Sequence, residues 1–402
     1  MRIITRTVLI LSIVSLFADI ASEMLYPIIP IYLKEIGFSI LWIGLLEGVV
    51  NFTAGISKGY FGKLSDEKGV RLPFVKLGYL LSALSKPLIG FFVTPIWIFF
   101  VRTLDRLGKG VRVAAKDALI SKEATKATKA RVFGFNRSLD TAGATIGPAI
   151  ALVFLLFYPG QYKTLFILAF IPGLISVMFL FLLKEKKEPD STLEKGNFFS
   201  FFKYWKIATP EYKNLVIGLL VFALFNSSDV FLLLKTKEVI GDQTIEFMGA
   251  TFNSDTITIA AYVFYNLVFA LGCYPLGMLA DKLGYKKVFV GGLVLFALVY
   301  AGFAFDLSIG GIFALFFVYG VYAAATDGVI KAWITNIAHN KNTATAVGFY
   351  TSCQSICTLL ASTIAGAVWT YMGSIFAFIS TAAITIGVLI FFVVRAQSGK
   401  EA

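Results

Sequence analysis

Acids and bases stand where the surrounding residues ask for lipid. Asp19 and Glu23 lie one helical turn apart on one face of the first long apolar run. Glu47, Asn51 and Lys58 fall near one face of the second run, and Lys86-Pro87 interrupts the third. The fourth run carries Arg102, Asp105 and Arg106; the fifth carries Arg137 and Asp140 at i, i+3. A charge at the middle of a bilayer costs about 2.5–3.5 kcal/mol even on lenient scales, so such side chains face a partner or a wet cavity. The chemistry on offer is proton and ion handling. A carboxylate beside an arginine can exchange its proton for a salt bridge as the neighbouring charge changes. Catalytic sets are missing from the sequence: no nucleotide-binding glycine loop or nucleophile–base pair accompanies these residues, and Gly108-Lys109-Gly110 is too short for a phosphate loop. His339 is the single histidine, and Cys273, Cys353 and Cys357 lie inside apolar runs with no metal-ligand spacing. Neither enzyme activity nor a cofactor or metal is expected.

The elements that must hold these charges are membrane helices. Of the 402 residues, 57% are hydrophobic and 15% aromatic. A water-soluble chain of this size runs near 45–50% apolar. A spanning helix needs about 20 apolar residues, and the chain offers roughly twelve such runs, with no strand-like alternation. They are expected near 5–33, 42–62, 72–93, 95–116, 131–157 and 163–183, then near 213–235, 256–280, 286–305, 309–333, 343–370 and 373–395. The first, following Arg2 and Arg6, reads as a span and not as a cleaved signal peptide. The polar linker 184–212 carries Lys184, Glu185, Lys186, Lys187, Glu188, Pro189 and Asp190, then Phe198, Phe199, Phe201, Phe202, Tyr204 and Trp205 with Lys203 and Lys206. That mixture suits a short helix in the headgroup layer. The net charge of +12 is an orientation signal, not a nucleic-acid footprint. With both termini in the cytoplasm, 27 of the 36 Lys and Arg fall in inner loops, and only Lys34, Lys163, Lys235 and Lys237 fall in outer ones.

A charged turn, Gly62-Lys63-Leu64-Ser65-Asp66-Glu67-Lys68-Gly69-Val70-Arg71, follows the second run. It returns as Gly277-Met278-Leu279-Ala280-Asp281-Lys282-Leu283-Gly284-Tyr285-Lys286-Lys287. Gly62, Asp66 and Gly69 each precede their matches Gly277, Asp281 and Gly284 by 215 residues. The opening of the fifth run, Arg131-Val132-Phe133-Gly134-Phe135-Asn136-Arg137-Ser138, is echoed by Thr345-Ala346-Val347-Gly348-Phe349-Tyr350-Thr351-Ser352. Six spans were duplicated in order, so the halves are parallel repeats about an axis along the membrane normal. Both charged turns resemble the loop 2–3 signature of the major facilitator superfamily, G-x-x-x-D-x-x-G-x-[RK]. Glu67 stands where a basic residue is usual.

The resemblance covers the whole chain and implies an all-α fold of twelve spans in two six-helix bundles, 1–183 and 213–402, joined by the linker 184–212. It implies that the turns (Gly62, Asp66, Gly69 and Arg71; Gly277, Asp281 and Gly284) clamp the cytoplasmic side of an outward-open state. Arg106-Leu107-Gly108-Lys109-Gly110 is similar to the family's span-4 signature, with Lys109 in place of glutamine. Gly143-Ala144-Thr145-Ile146-Gly147-Pro148 is similar to the antiporter signature, with Ala151 and Leu152 in place of its last two glycines. Spans 1, 4, 7 and 10 of such a fold line a central cavity. One N-half network of Asp19, Glu23, Arg102, Asp105, Arg106, Arg137 and Asp140 is therefore expected, either as a proton and substrate path or as a structural lock. On the other wall stand Asn226 and Asp229, Asp327 and Lys331 sharing a face, and Tyr262, Tyr265, Tyr319, Tyr322 and Trp369. The implied activity is transport of a small solute by alternating access in the bacterial inner membrane, as a monomer. Proton-coupled export is expected, with uptake of an organic anion, nutrient or siderophore as the alternative and a non-transporting sensor as a distant one.

Overall fold

Twelve crossings arise from more than twelve helices, because two crossings are broken. The computed structural model describes residues 3–26, 28–37, 40–158, 160–185, 197–241, 245–247, 250–252, 254–305 and 307–394. The first crossing is α1 (Arg6–Glu23) followed by α2 (Ile28–Glu35). Then come α3 (Ile40–Glu67), α4 (Leu72–Leu88), α5 (Pro95–Lys122), α6 (Lys129–Phe157) and α7 (Tyr162–Leu180). The expected single run 5–33 is therefore corrected to two helices. The fourth span, expected to end at 116, continues to Lys122. Its extra turns, which begin after Lys116, carry Asp117 into the protein, because partners described below satisfy both that carboxylate and the neighbouring Lys116.

The linker is a 3-10 turn, Phe198–Lys203, and α8 (Tyr204–Ile207); Lys186, Lys187, Glu188, Pro189 and Asp190 lie outside the described residues. Phe201 is fully buried against α3, and Trp205 stacks on Phe349, while Phe199 stays exposed. The segment is thus wedged onto helices of both bundles instead of lying free on headgroups. Glu185 caps the start of α4, accepting from the Leu72 amide at 2.6 Å.

In the second half α9 (Pro210–Ala223) and α10 (Val230–Ile240) form one crossing, broken at residues 224–229. The break falls on Asn226-Ser227-Ser228-Asp229, whose short polar side chains compete for backbone hydrogen bonds. A small hairpin, β1 (Ile245–Phe247) with β2 (Ala250–Phe252), precedes α11 (Ser254–Leu283). The chain ends in α12 (Tyr285–Phe303), α13 (Ile309–Ile337), α14 (Thr343–Met372) and α15 (Ser374–Val394). Seven of the described helices are each long and apolar enough to cross a membrane. The two split crossings, α3, α4 and the charge-laden α5 are crossings by their place in the bundles.

The two halves fill their cores differently. The second half packs fully buried rings of Phe289, Phe296, Phe303, Phe316 and Phe378. The first half packs mostly aliphatic side chains such as Val14, Val75 and Ile120, which leaves room for polar groups between helices. An even number of crossings brings α15 back to the end where α1 begins, here called the near end. At this near end α6 lies along α11, and α3 along α14.

Candidate functional site

One short seam decides where the charges meet. On α6, a Cβ added at Gly143 would sit 2.5 Å from the Leu16 carbonyl oxygen, and one at Gly147 2.7 Å from that of Ile20. The absence of side chains there presses α6 onto α1 beside Asp19 and Glu23. The consequence is that the Asp19 and Asp140 carboxyls lie within hydrogen-bond reach of each other. Two carboxyls can share a hydrogen bond only with a proton between them. Asp140 also takes an ion pair from Arg137 at 2.6 Å and has Lys116 Nζ at 3.9 Å. Lys116 donates to Ser15 Oγ at 2.7 Å, and Ser15 lies 3.3 Å from the Tyr79 hydroxyl. Arg137 reaches across to the second bundle, where its Nε is 2.7 Å from Asp327 Oδ2. A second cross-bundle ion pair joins Lys331 to the fully buried Asp117 at 3.2 Å. The expected face-sharing of Asp327 and Lys331 is real, but each pairs with α6 or α5 instead of serving a common site.

The single network expected in the first half is corrected to separate clusters. Asp105 turns away from Asp140 and accepts from Ser82 Oγ at 2.5 Å and Lys86 Nζ at 2.7 Å, with Arg102 at 3.9 Å. This buried group ties α4 to α5. Lys86 wins Asp105 because the two stand directly across the helix pair, whereas Asp140 is occupied by Arg137 and Lys116. Arg106, Lys109 and Lys58 form a third group. They feel one another's charge, and among the described residues none has an ion-pair partner within 4.0 Å. Glu23 and Asp19 act on Lys109 through space. Glu47 lies on α3, its side chain outside the described residues. Lys116 and Asp117, which complete the cross-bundle contacts, were missed by sequence reasoning. Their signal was an i, i+7 and i, i+8 continuation of the charged face from Lys109.

Asp229 stands on the other wall, at the break between α9 and α10. The Tyr319 hydroxyl donates to it at 2.6 Å, and Tyr265 is a second hydrogen-bond donor. Tyr262 and Tyr322 complete a ring of tyrosines around these two. Trp369 packs on Phe378 and Phe231 instead.

The charged turns grip helix starts in the opposite bundle. Asp66 accepts from the Thr345 amide at 2.7 Å and its hydroxyl at 2.8 Å, and from Arg71 Nη2 at 3.0 Å. Burial pushes its carboxyl up to about 6, against the pull of Arg71 and the Thr345 bonds. Asp281 accepts from the Ala130 amide at 2.9 Å, and from the Arg131 amide and Nε at 3.1 and 3.0 Å. Gly69 and Gly284 adopt φ of 63° and 95°, which turns the chain into the next helix. Other near-end bonds run from Lys129 to the Thr335 carbonyl and from Ser138 to that of Ala270. The near ends are closed on each other.

A family model described as Major Facilitator Superfamily matches residues 11–250 and 243–402. An uncharacterized MFS-type transporter of Methanocaldococcus jannaschii is 32% identical over 98% of this chain and 96% of its own. Multidrug resistance protein MdtG of Dickeya zeae is 25% identical over 78% and 74% of the two chains. Among solved structures, the human organic anion transporter MFSD10 superposes with TM-score 0.80 at 13% identity, covering 96% of this chain and 99% of that one. The fucose:proton symporter FucP of E. coli gives 0.77 at 13%, covering 98% and 99%.

Proposed function

This chain belongs to the major facilitator superfamily, and from that membership we propose that it is a proton-coupled exporter of a small solute, working as a monomer in the plasma membrane. The near end is read as cytoplasmic, on the strength of the Lys and Arg excess there. In that orientation the near-end contacts close the cytoplasmic side.

One observation carries the coupling: Asp19 and Asp140 lie within hydrogen-bond reach of each other, while Arg137 is held between Asp140 and Asp327 of the other bundle. Gain or loss of one proton at the carboxyl pair redistributes Arg137 between its two acids. One of those contacts exists only while the near ends are together. Proton occupancy and the position of the bundles are thereby linked, at the scale of 1–3 kcal/mol typical of such coupling. Export is supported by the multidrug resistance name of the MdtG relative and by the Gly143-Gly147 seam, which brings α6 onto α1 beside Asp19.

In energised inside-out vesicles, an exported solute should collapse part of a pre-formed pH gradient, read by acridine orange fluorescence. A panel of drugs and metabolites supplies the candidates. Asp19→Asn and Asp140→Asn should each abolish the response while leaving folded protein. A solute that moves without regard to the gradient, or equally well in both variants, would rule the proposal out. A gradient spent by solute moving in the opposite direction would make it an uptake porter.

A further inference from the structure

The two walls between the bundles carry opposite unpaired charge. On the first, Lys58 of α3 and Arg106 and Lys109 of α5 have no ion-pair partner within 4.0 Å among the described residues. Arg106 Nε is buried without a hydrogen-bond partner, and Lys58 makes one long contact, 3.4 Å to Ser355 Oγ. Glu23 offsets part of this charge, and Asp19 is engaged with Asp140. A cationic surplus remains. On the second wall Asp229 is half-buried and has only neutral hydroxyls as donors, from Tyr319 and Tyr265. The two walls are neighbours: Tyr262 of the tyrosine ring lies within electrostatic range of both Asp229 and Glu23 of α1. Asp229 lies at the break in the seventh crossing, and Glu23, the last residue of α1 before the break in the first, acts through space on Lys109; repeat transporters bind cargo at such breaks.

Neither wall is satisfied by a solute of one charge. A simple cation would sit at Asp229 and leave Lys58, Arg106 and Lys109 facing each other. A simple anion would do the reverse and leave the Asp229 carboxylate, which feels Arg137 only through space, without a cation in contact. We propose that the cargo site takes a zwitterion, its anionic group among Lys58, Arg106 and Lys109 and its ammonium group at Asp229 against the faces of Tyr262 and Tyr265. Tyrosine rings suit that ammonium through cation–π attraction. A zwitterion touches both bundles at once, so it binds more tightly as their far ends approach. That difference between states is what allows a ligand to drive closure. The proposal rests on reading the chain as a transporter, but not on proton coupling.

The test measures binding to purified protein at fixed pH with no gradient. Two matched probe sets each share one ring: phenylalanine, phenethylamine and phenylpropionate; tryptophan, tryptamine and indole-3-propionate. In at least one set the zwitterion should bind about tenfold tighter than both singly charged members, read as a thermal shift and by calorimetry. Asp229→Asn should erase its advantage over the anion, and Lys109→Gln its advantage over the cation. If neither zwitterion outbinds its singly charged partners, the proposal is overturned, and that comparison needs no variant to fold. A zwitterion preference without response to a pH gradient would keep this site and sink proton coupling. Gradient-driven movement of singly charged solutes alone would do the opposite.

Discussion

The two near-end clamps are copies of one turn, and they hold their targets with the charge placed differently. In both, a carboxylate caps the start of a helix in the opposite bundle, where the helix dipole favours it. Asp66 brings its cation with it: Arg71 belongs to the same turn. Asp281 takes its cation, Arg131, from the helix that it caps. When the bundles part, Asp66 keeps Arg71 and loses the Thr345 amide and hydroxyl. Asp281 loses two amides and its counter-charge together. The residue that supplies the cation in one clamp, Arg131, aligns in the repeat with the one that supplies a hydroxyl in the other, Thr345. Duplication kept the contact geometry and moved the charge. The second clamp should therefore act as the stronger latch, and the first as the more adjustable one.

The comparison breaks most sharply at the glycines. A Cβ at Gly62 would lie 2.5 Å from the Ala344 carbonyl oxygen, and one at Gly277 2.5 Å from that of Ala130. Backbone on both sides cannot yield. Gly62→Leu and Gly277→Leu should each keep the near ends apart, lowering transport roughly 100-fold if the strain approaches 3 kcal/mol. Spin labels at exposed Lys126 and Lys282, in a cysteine-free background, should report a longer distance in either variant. A wild-type distance in Gly277→Leu would mean that this close approach does not hold the state.

A smaller effect separates the two cations. Arg131→Gln removes an ion pair that exists only in the closed state. It should shift the equilibrium toward near-end opening by about tenfold, a little over 1 kcal/mol for a partly exposed pair. Arg71→Gln removes a pair retained in both states. It should lower thermal stability yet leave the label distances near wild type. Equal distance shifts in the two variants would erase the distinction between the clamps.

Much of this architecture is legible in the residues alone, for physical reasons. Lipid demands long apolar runs, and a tight turn demands its glycines, so the twelve crossings and both copies of G-x-x-x-D-x-x-G stand out. The helix ends do not. The fourth span reads as ending at Lys116 because hydropathy penalises charge, and no local rule shows that Asp140 and Lys331 wait to neutralise Lys116 and Asp117. The break at Asn226-Ser227-Ser228-Asp229 was visible as a polar run, but the surrounding apolar residues outweighed it. The split of the first-half charges depends on which helix faces Lys86, a tertiary fact that i, i+3 and i, i+4 spacing cannot carry.

Acidity should sharpen the contrast further. Burial in the closed state holds the Asp66 carboxyl near 6, above the ordinary aspartate value of about 3.9. The closed form therefore binds the proton more tightly than a form in which Asp66 meets water. Its acid stabilisation is complete below the ordinary value and is lost as pH rises through about 6. Between pH 7.5 and 5, labels at exposed Lys68 and Lys341 should move several-fold toward the closed distance. Asp66→Asn should flatten that slope. An undiminished slope would assign the pH response to other carboxyls, the Asp19–Asp140 pair first among them.

The finest test concerns a single hydroxyl. Thr345→Val keeps the backbone amide that Asp66 accepts and removes the 2.8 Å bond from Oγ1. The loss of one hydrogen bond to a buried carboxylate, about 1.5 kcal/mol, should favour opening by roughly tenfold at most. Hydration of the vacated oxygen should reduce that to a few-fold. Ala130 and Arg131 offer Asp281 no hydroxyl, so the second clamp has nothing equivalent to lose. If Thr345→Val opens the near end as far as Arg131→Gln does, the first clamp is a latch in its own right. Depth would not explain it, because both side chains are buried, Asp66 at 0% exposed and Asp281 at 1%; the asymmetry in charge would then have been balanced by the extra hydroxyl bond.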